Sequence, residues 1–194
     1  MAHVDQHVER AWRVDWDRKP HVSQAVDEDA PTDRVLAAHV LDVFGAVVPE
    51  NLRVVLNVPD ALAVRADAAQ LRQLLWNLTL NACQAMPEGG RLCMEAQAAA
   101  EPTPQEARSA RRNELEEKKT WVEITVRDQG VGIAPEALDH VFDPFFTTKP
   151  EGSGLGLATV HRIVQEHGGS IRLESLVDRG TEIRIWLPRA EVTS

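Results

Sequence analysis

The sequence predicts a domain of the α+β class, because segments with helical periodicity and segments with strand alternation are both present. Two long segments, around residues 35–44 and 71–85, repeat apolar residues at helical spacing. Shorter segments at 53–58, 91–96, 121–128, 171–176 and 181–187 are rich in β-branched or alternating apolar residues. The turn at Asp178-Arg179-Gly180 joins the last two predicted strands into a hairpin.

Composition indicates an ordinary globular chain. Of 194 residues, 43% are hydrophobic and 26% are charged. The net charge of -9 argues against general nucleic-acid binding, which needs a basic surface. Cys83 and Cys93 are too few for a disulfide framework or a metal site of their own. Since no long apolar segment or signal peptide stands out, we expect a cytoplasmic chain without a membrane segment.

The predicted domain spans residues 31–190. Residues 1–30 are expected to be a poorly packed leader or linker, and residues 191–194 a tail. The first helix is expected to begin at an N-cap, Thr32, and to end before Pro49. Residues 97–120 lose apolar periodicity, and they predict an exposed excursion that contains a charged helix at about 105–119.

The second helix carries an unusual row of amides. Asp67 is its predicted N-cap, and the helix is expected to run to about Met86. Asn77, Asn81 and Gln84 follow one another on a stripe beside the apolar one. Asparagine is a mediocre helix former, so the row indicates either a solvated face or a set of amides that faces a polar cleft.

The strand at 121–128 ends in a carboxylate on its apolar side. Val122, Ile124 and Val126 share one face with Asp128, and Gly130 and Gly132 follow directly. A carboxylate in this position is costly to bury without a partner. It either closes its own turn or accepts a hydrogen bond from a ligand donor such as an exocyclic amine.

Two further segments follow this strand. A short helix is predicted at 136–141, and the three phenylalanines at 142, 145 and 146 predict a loop that is anchored by aromatic side chains. Gly152, Gly154 and Gly156 then precede an apolar helical segment. Glycines at the start of a helix favour a phosphate site, although the same pattern serves as a simple cap.

Together these motifs resemble the ATP-binding catalytic domain of two-component sensor histidine kinases. That domain belongs to a superfamily shared with gyrase, heat-shock chaperone and mismatch-repair ATPases, and the match covers about residues 32–189. The motifs are, in chain order, 77–82 (NLTLNA), 128–132 (DQGVG), 142–149 (FDPFFTTK), 152–157 (GSGLGL) and the Gly-Thr pair at 180–181. The resemblance implies a two-layer sandwich, the Bergerat fold, in which a mixed sheet packs on helices and ATP lies under a mobile lid.

The resemblance also implies roles for individual residues. Asp128 would accept from the adenine amino group, Asn81 would bind Mg²⁺, and Asn77 would support the phosphates or orient Asn81. The other implied ATP contacts are Gly130 and Gly132 beside the base, Lys149 and the N–H groups of Ser153, Gly154, Leu155 and Gly156 at the phosphates, and Thr181 beside Asp128.

Two positions depart from wider patterns. ATP-hydrolysing relatives carry a glutamate as general base where this chain has Asn77, and an amide cannot take a proton near neutral pH, so the resemblance implies a kinase rather than an ATPase. Many members carry a basic residue where this chain has Gln84. The Gln84 position and the 142–149 segment resemble kinases of the nitrogen-regulation type.

The expected phosphoacceptor is not found in the sequence. His7 and His39 lack the adjacent acid and the following proline that the acceptor motif requires. The implied function is therefore transfer of the γ-phosphoryl group from Mg-ATP to a histidine on a separate dimerisation domain, with a response regulator downstream. The alternative is a nucleotide-binding regulatory module, similar to anti-sigma factors, that sequesters a partner.

Overall fold

The computed structural model describes residues 36–60, 62–100, 121–150 and 152–190. The predictions for residues 1–30, Thr32, 105–119 and 191–194 lie outside these ranges. The helices are α1 (Leu36–Val47), α2 (Ala68–Ala85), α3 (Pro135–Leu138) and α4 (Gly156–Glu166). The strands are β1 (Leu52–Asn57), β2 (Gly90–Ala99), β3 (Trp121–Asp128), β4 (Ser170–Leu176) and β5 (Gly180–Pro188).

The five strands form one mixed sheet in the order β1-β2-β3-β5-β4. β1 runs parallel to β2, and every other neighbouring pair is antiparallel. β4 and β5 form the expected hairpin. β3 lies in the centre, and Asp128 at its end is in register with Leu92 of β2. The sheet and its helices confirm the predicted α+β class.

The helices pack against one face of the sheet. Every second residue of the central strands enters a single core, and Ile124 and Ile185 are fully buried there. Leu71, Leu74 and Leu75 of α2 face the same core. Burial of each such side chain stabilises the fold by about 1.5–3 kcal/mol. The apolar stripe of α2 therefore holds its amide row at the edge of the helical layer.

The predicted cap of α2 is confirmed. The Asp67 side chain accepts a hydrogen bond from the Gln70 N–H at 2.9 Å, which satisfies one of the free donors at the helix start. No helix in the described ranges is long and apolar enough to cross a membrane.

Three local predictions are wrong. β2 continues to Ala99 in register with β3, so the expected excursion does not begin at residue 97. α3 ends at Leu138, because the chain enters a succession of turns at residues 139–145. Phe145 does not anchor its loop, since 76% of its surface is exposed, whereas Phe142 packs against the core.

Candidate functional site

The Asp128 carboxylate forms one end of the candidate site. Only 6% of the residue is exposed, and Oδ1 accepts hydrogen bonds from the N–H groups of Gly130 at 2.9 Å and Thr181 at 3.2 Å. No hydrogen bond within the described ranges reaches the second oxygen, Oδ2. The turn and the neighbouring strand therefore orient the carboxylate and leave one acceptor atom for a ligand donor.

Burial raises the pKa of Asp128 from 3.8 to about 6. The N–H groups of Gly130 and Thr181 and the ammonium of Lys149 lower that pKa, but they do not compensate for desolvation. A carboxylate with this degree of burial is a costly feature for a fold to retain, and such groups concentrate at functional sites.

The backbone around Asp128 is packed too closely for side chains. A Cβ at Gly130 would lie 2.5 Å from the Ala85 carbonyl oxygen, and one at Gly132 would lie 2.0 Å from the Leu176 carbonyl oxygen. Val131 adds a hydrogen bond from its N–H to the Ala85 oxygen at 3.0 Å. This turn thereby joins the end of α2 to β4.

Ser175 is a site residue that the sequence did not reveal. Its hydroxyl accepts from the Ile133 N–H at 2.8 Å, donates to the Gly180 carbonyl at 2.9 Å, and lies 2.9 Å from the Thr181 hydroxyl. It therefore fixes the turn after β3 to the β4–β5 hairpin. The only available signal was a serine near the end of a strand that mixes apolar and polar residues, and that signal has no spacing relation to Asp128.

Asn81 and the start of α4 form the other end of the site. A Cβ at Gly156 would lie 3.4 Å from Asn81 Nδ2 and 3.6 Å from Oδ1, so the amide lies against the first residue of α4. Nδ2 is buried without a hydrogen-bond partner. Asn77 lies one turn earlier on α2 and is half-buried, and no hydrogen bond joins it to another described site residue.

The N-terminus of α4 is open. Leu155 at the N-cap makes no side-chain capping bond, and its own N–H lies 3.4 Å from the Ser153 hydroxyl. Within the described ranges, the N–H groups of Gly156 and Leu157 have no acceptor. Unpaired N–H groups and the positive end of the helix dipole favour an anion such as a phosphate.

The loop between α3 and α4 contacts α2 and interacts with both ends of the site. The Lys149 ammonium donates to Gln84 Oε1 at 2.8 Å, which ties the loop to the last turn of α2. The Phe145 N–H donates to the Gly154 carbonyl at 3.0 Å, which closes the loop on itself. We name the described residues of this loop, 142–150 and 152–155, the lid.

Gly154 adopts a φ of +67°, and an added Cβ would lie 2.3 Å from the Phe145 carbonyl carbon. The variant Gly154→Ala is expected to displace the lid and to weaken ATP binding by about tenfold, the loss expected when one or two hydrogen bonds are misplaced. Calorimetric titration with ATP measures this loss. Gly45→Ala is the control, because nothing lies within 4 Å of that position; affinity equal to that of this control would contradict a role for the glycine in the lid.

Apart from Asn77, which no hydrogen bond joins to the other described residues of the site, the site residues predicted from the sequence fall into three groups. Asp128, Gly130, Gly132 and Thr181 surround the buried carboxylate, Asn81 and Gly156 meet at the helix start, and Lys149, Ser153, Gly154 and Leu155 belong to the lid. Together they provide an acceptor for an amine, open N–H groups for an anion, and a loop above both.

Comparisons with known proteins identify the family of the chain. A family model described as "Histidine kinase-, DNA gyrase B-, and HSP90-like ATPase" matches residues 66–191. The sensor histidine kinase ZraS of Escherichia coli (strain K12) is 41% identical over 125 residues, which make up 64% of this chain and 23% of that protein. Sporulation kinase D of Bacillus subtilis (strain 168) is 35% identical over 157 residues, or 76% of this chain and 27% of that protein.

The solved catalytic domain of histidine kinase ThkA aligns with a TM-score of 0.62 and 26% identity over 80% of this chain and 95% of its own. The chain spans about a quarter of the length of the curated relatives it matches. The family match covers more than half of the chain and includes both ends of the candidate site. The chain therefore belongs to the family of histidine kinase-, DNA gyrase B- and HSP90-like ATPases.

Proposed function

We propose that this chain binds Mg-ATP and transfers the γ-phosphoryl group to a histidine of a dimerisation domain in a two-component signalling system. The observation that carries the proposal is the buried Asp128, which keeps one oxygen free next to a glycine turn. An adenine amino group can donate to that oxygen, whereas the carbonyl of guanine cannot. The similarity to sensor kinases supports a histidine as the acceptor.

At the end of the site formed by Asn81 and the start of α4, the open N–H groups of α4 would hold phosphate oxygens. Mg²⁺ fits the same place, because the Asn81 side-chain oxygen lies beside the start of α4, accepts no hydrogen bond from the described residues and is a hard donor that suits this ion. The unpaired Asn81 Nδ2 would donate to a phosphate oxygen. When bound, Mg²⁺ would neutralise phosphate charge. Asn81 would hold the ion, Lys149 would add a positive charge from the lid, and the lid would exclude water from the cleft.

Asn77 favours transfer over hydrolysis. Activation of a water molecule needs a general base within reach, and a neutral amide cannot serve as one. An imidazole is already a nucleophile near neutral pH, so transfer to it needs positioning and charge neutralisation rather than a base. The proposed partners are the dimerisation domain and a response regulator. The proposed location is the cytoplasm, where ATP is available.

The test is incubation with labelled ATP, Mg²⁺ and a purified dimerisation domain from a related sensor kinase. We expect acid-labile, base-stable label on that domain, as phosphohistidine requires. Asn81→Ala is expected to slow transfer by about ten- to a hundredfold, the range typical of weakened metal binding. Leu80→Ala, an exposed neighbour on α2, is the control for an effect on the helix itself.

Two outcomes would contradict the proposal. ATP binding without label on any acceptor would favour the nucleotide-binding regulatory module. Steady phosphate release in the absence of an acceptor would favour a hydrolase.

A further inference from the structure

Gln84 lies at the base of the lid, three residues after Asn81 on α2. Its Oε1 atom accepts a hydrogen bond from Lys149 Nζ at 2.8 Å, across 65 positions of sequence. Within the described ranges, no other side chain forms a hydrogen bond with this ammonium. The contact therefore joins the amide row of α2 to the positive charge of the lid.

The backbone of Lys149 is held independently of its side chain. The Lys149 N–H donates to Thr147 Oγ1 at 3.1 Å, and the same hydroxyl lies 3.3 Å from the Lys149 carbonyl oxygen. The local turn thus fixes the backbone position of Lys149, while the hydrogen bond to Gln84 fixes the position of its ammonium group. Without the second contact, a flexible four-carbon stem would sample many positions.

The Lys149 ammonium interacts with the charge at the Asp128 end of the site. Burial lowers the pKa of Lys149, and the Asp128 carboxylate acts in the opposite direction, so the two charges are within electrostatic range of each other. A neutral amide holds the cation without cancelling its charge. In a chain of net charge -9, a cation that is already in position favours the approach of a polyanion.

We infer that Gln84 is a positioning residue that holds the Lys149 ammonium over the cleft, where it meets the phosphate groups of the nucleotide. The inference rests on the proposed function. Gln84 acts through Lys149 and does not itself bind the nucleotide, so its effect requires both the lysine and the phosphates.

A different role for the Gln84–Lys149 contact, in which it holds the lid closed before nucleotide binds, predicts the opposite change in ATP affinity. If the contact only kept the lid closed before ligand entry, its removal would ease entry and strengthen ATP binding. The sign of the change in affinity therefore distinguishes positioning from latching.

The experiment is a double-mutant cycle on the full chain with ATP and adenosine as ligands. Gln84→Met keeps the length of the side chain and removes the amide acceptor. This variant is expected to weaken ATP binding by about two- to tenfold, because the ammonium remains but is no longer held in place. Lys149→Ala is expected to weaken it by about ten- to a hundredfold, because the ammonium itself is lost. In the Lys149→Ala background, Gln84→Met should have no further effect. At about pH 8, where Asp128 is ionised with or without Lys149, adenosine affinity should change in none of these variants, because adenosine lacks phosphates.

Two further variants complete the design. Gln73→Met, on the exposed surface of the same helix, is the matched control and should bind ATP like the unaltered chain. Gln84→Lys combined with Lys149→Ala supplies the charge from the helix and should recover part of the lost ATP affinity. Recovery would show that ATP binding depends on a positive charge over the cleft rather than on the fold of the lid.

Tighter ATP binding by Gln84→Met, or an equal loss with and without Lys149, would overturn the inference. An equal loss for adenosine would overturn it as well, because the effect would then lie at the base. Phosphoryl transfer is measured separately: coupling between the two residues without transfer supports this inference and contradicts the kinase function. Failure of the unaltered chain to bind ATP would contradict both.

Discussion

Asp128→Asn is expected to weaken ATP binding by about a hundredfold or more, because a charged acceptor is lost and a donor replaces it. The Asn oxygen would accept from the N–H groups of Gly130 and Thr181, as Asp128 Oδ1 does. Its amino group would then face the adenine amino group, and two donors would meet. Calorimetric titration with ATP measures the loss.

The same variant is expected to be more stable than the unaltered chain at pH 7. Since the pKa of Asp128 is raised to about 6, the folded state holds the proton more tightly than the unfolded state does. Protonation of this group therefore stabilises the fold below about pH 4, and this contribution is lost as the pH rises through 6. Asn mimics the neutral form at every pH. The midpoint of thermal unfolding, measured between pH 4 and 7, should therefore lose the pH dependence that Asp128 contributes.

ATP affinity is expected to change with pH in the opposite direction. The ionised carboxylate is the better acceptor, so binding should weaken as the pH falls below about 6. Asp178→Asn, an exposed position in the hairpin turn, is the control for the loss of one negative charge. A variant of Asp128 that loses affinity and stability together would indicate a structural role instead.

Gly132→Ala is expected to lower the free energy of unfolding by several kcal/mol, a loss typical of severe steric conflict in a packed backbone. The residue has a φ of +69°, and its added Cβ would lie 2.0 Å from the Leu176 carbonyl oxygen. A carbonyl in a paired strand cannot move aside without disturbing the β4–β5 hairpin. Urea unfolding with linear extrapolation measures the loss.

Gly168→Ala is the matched control for this variant. Its φ of +67° is nearly the same, but nothing lies within 4 Å of the added atom. In this control, the only cost is that of placing alanine in the left-handed backbone conformation, about 1–2 kcal/mol. The difference in free energy of unfolding between the two variants therefore measures the steric conflict. Equal losses would mean that the turn shifts freely and that it does not hold the Asp128 carboxylate in place.

The elements and site residues that could be predicted from the sequence were those marked by apolar periodicity or by a short motif. The apolar stripe of α2 and the alternation along β3 identified those elements, and a carboxylate on the apolar side of a strand before two glycines marked Asp128 from sequence alone. The family followed from several motifs in order. The roles of the individual site residues stay predictions until the variants are measured.

The remainder depended on contacts between distant segments. Gln84 meets Lys149, and Ser175 joins Ile133 to Thr181, through packing that no spacing rule encodes. Phe145 was predicted to be an anchor because aromatic residues are usually buried, yet it lies exposed in the lid. β2 was predicted too short because its last residues are alanines and a glutamine, and their strand geometry comes from pairing with β3.

The hydrogen bond from Thr181 to Asp128 has a consequence for how the chain matures. The two residues are 53 positions apart and meet only when β5 pairs with β3. During synthesis, the carboxylate emerges well before its second N–H donor, so the proposed base-binding end is completed only after β5 has been made. Nucleotide can then stabilise only chains that have finished this pairing, and it selects complete molecules over partly folded ones.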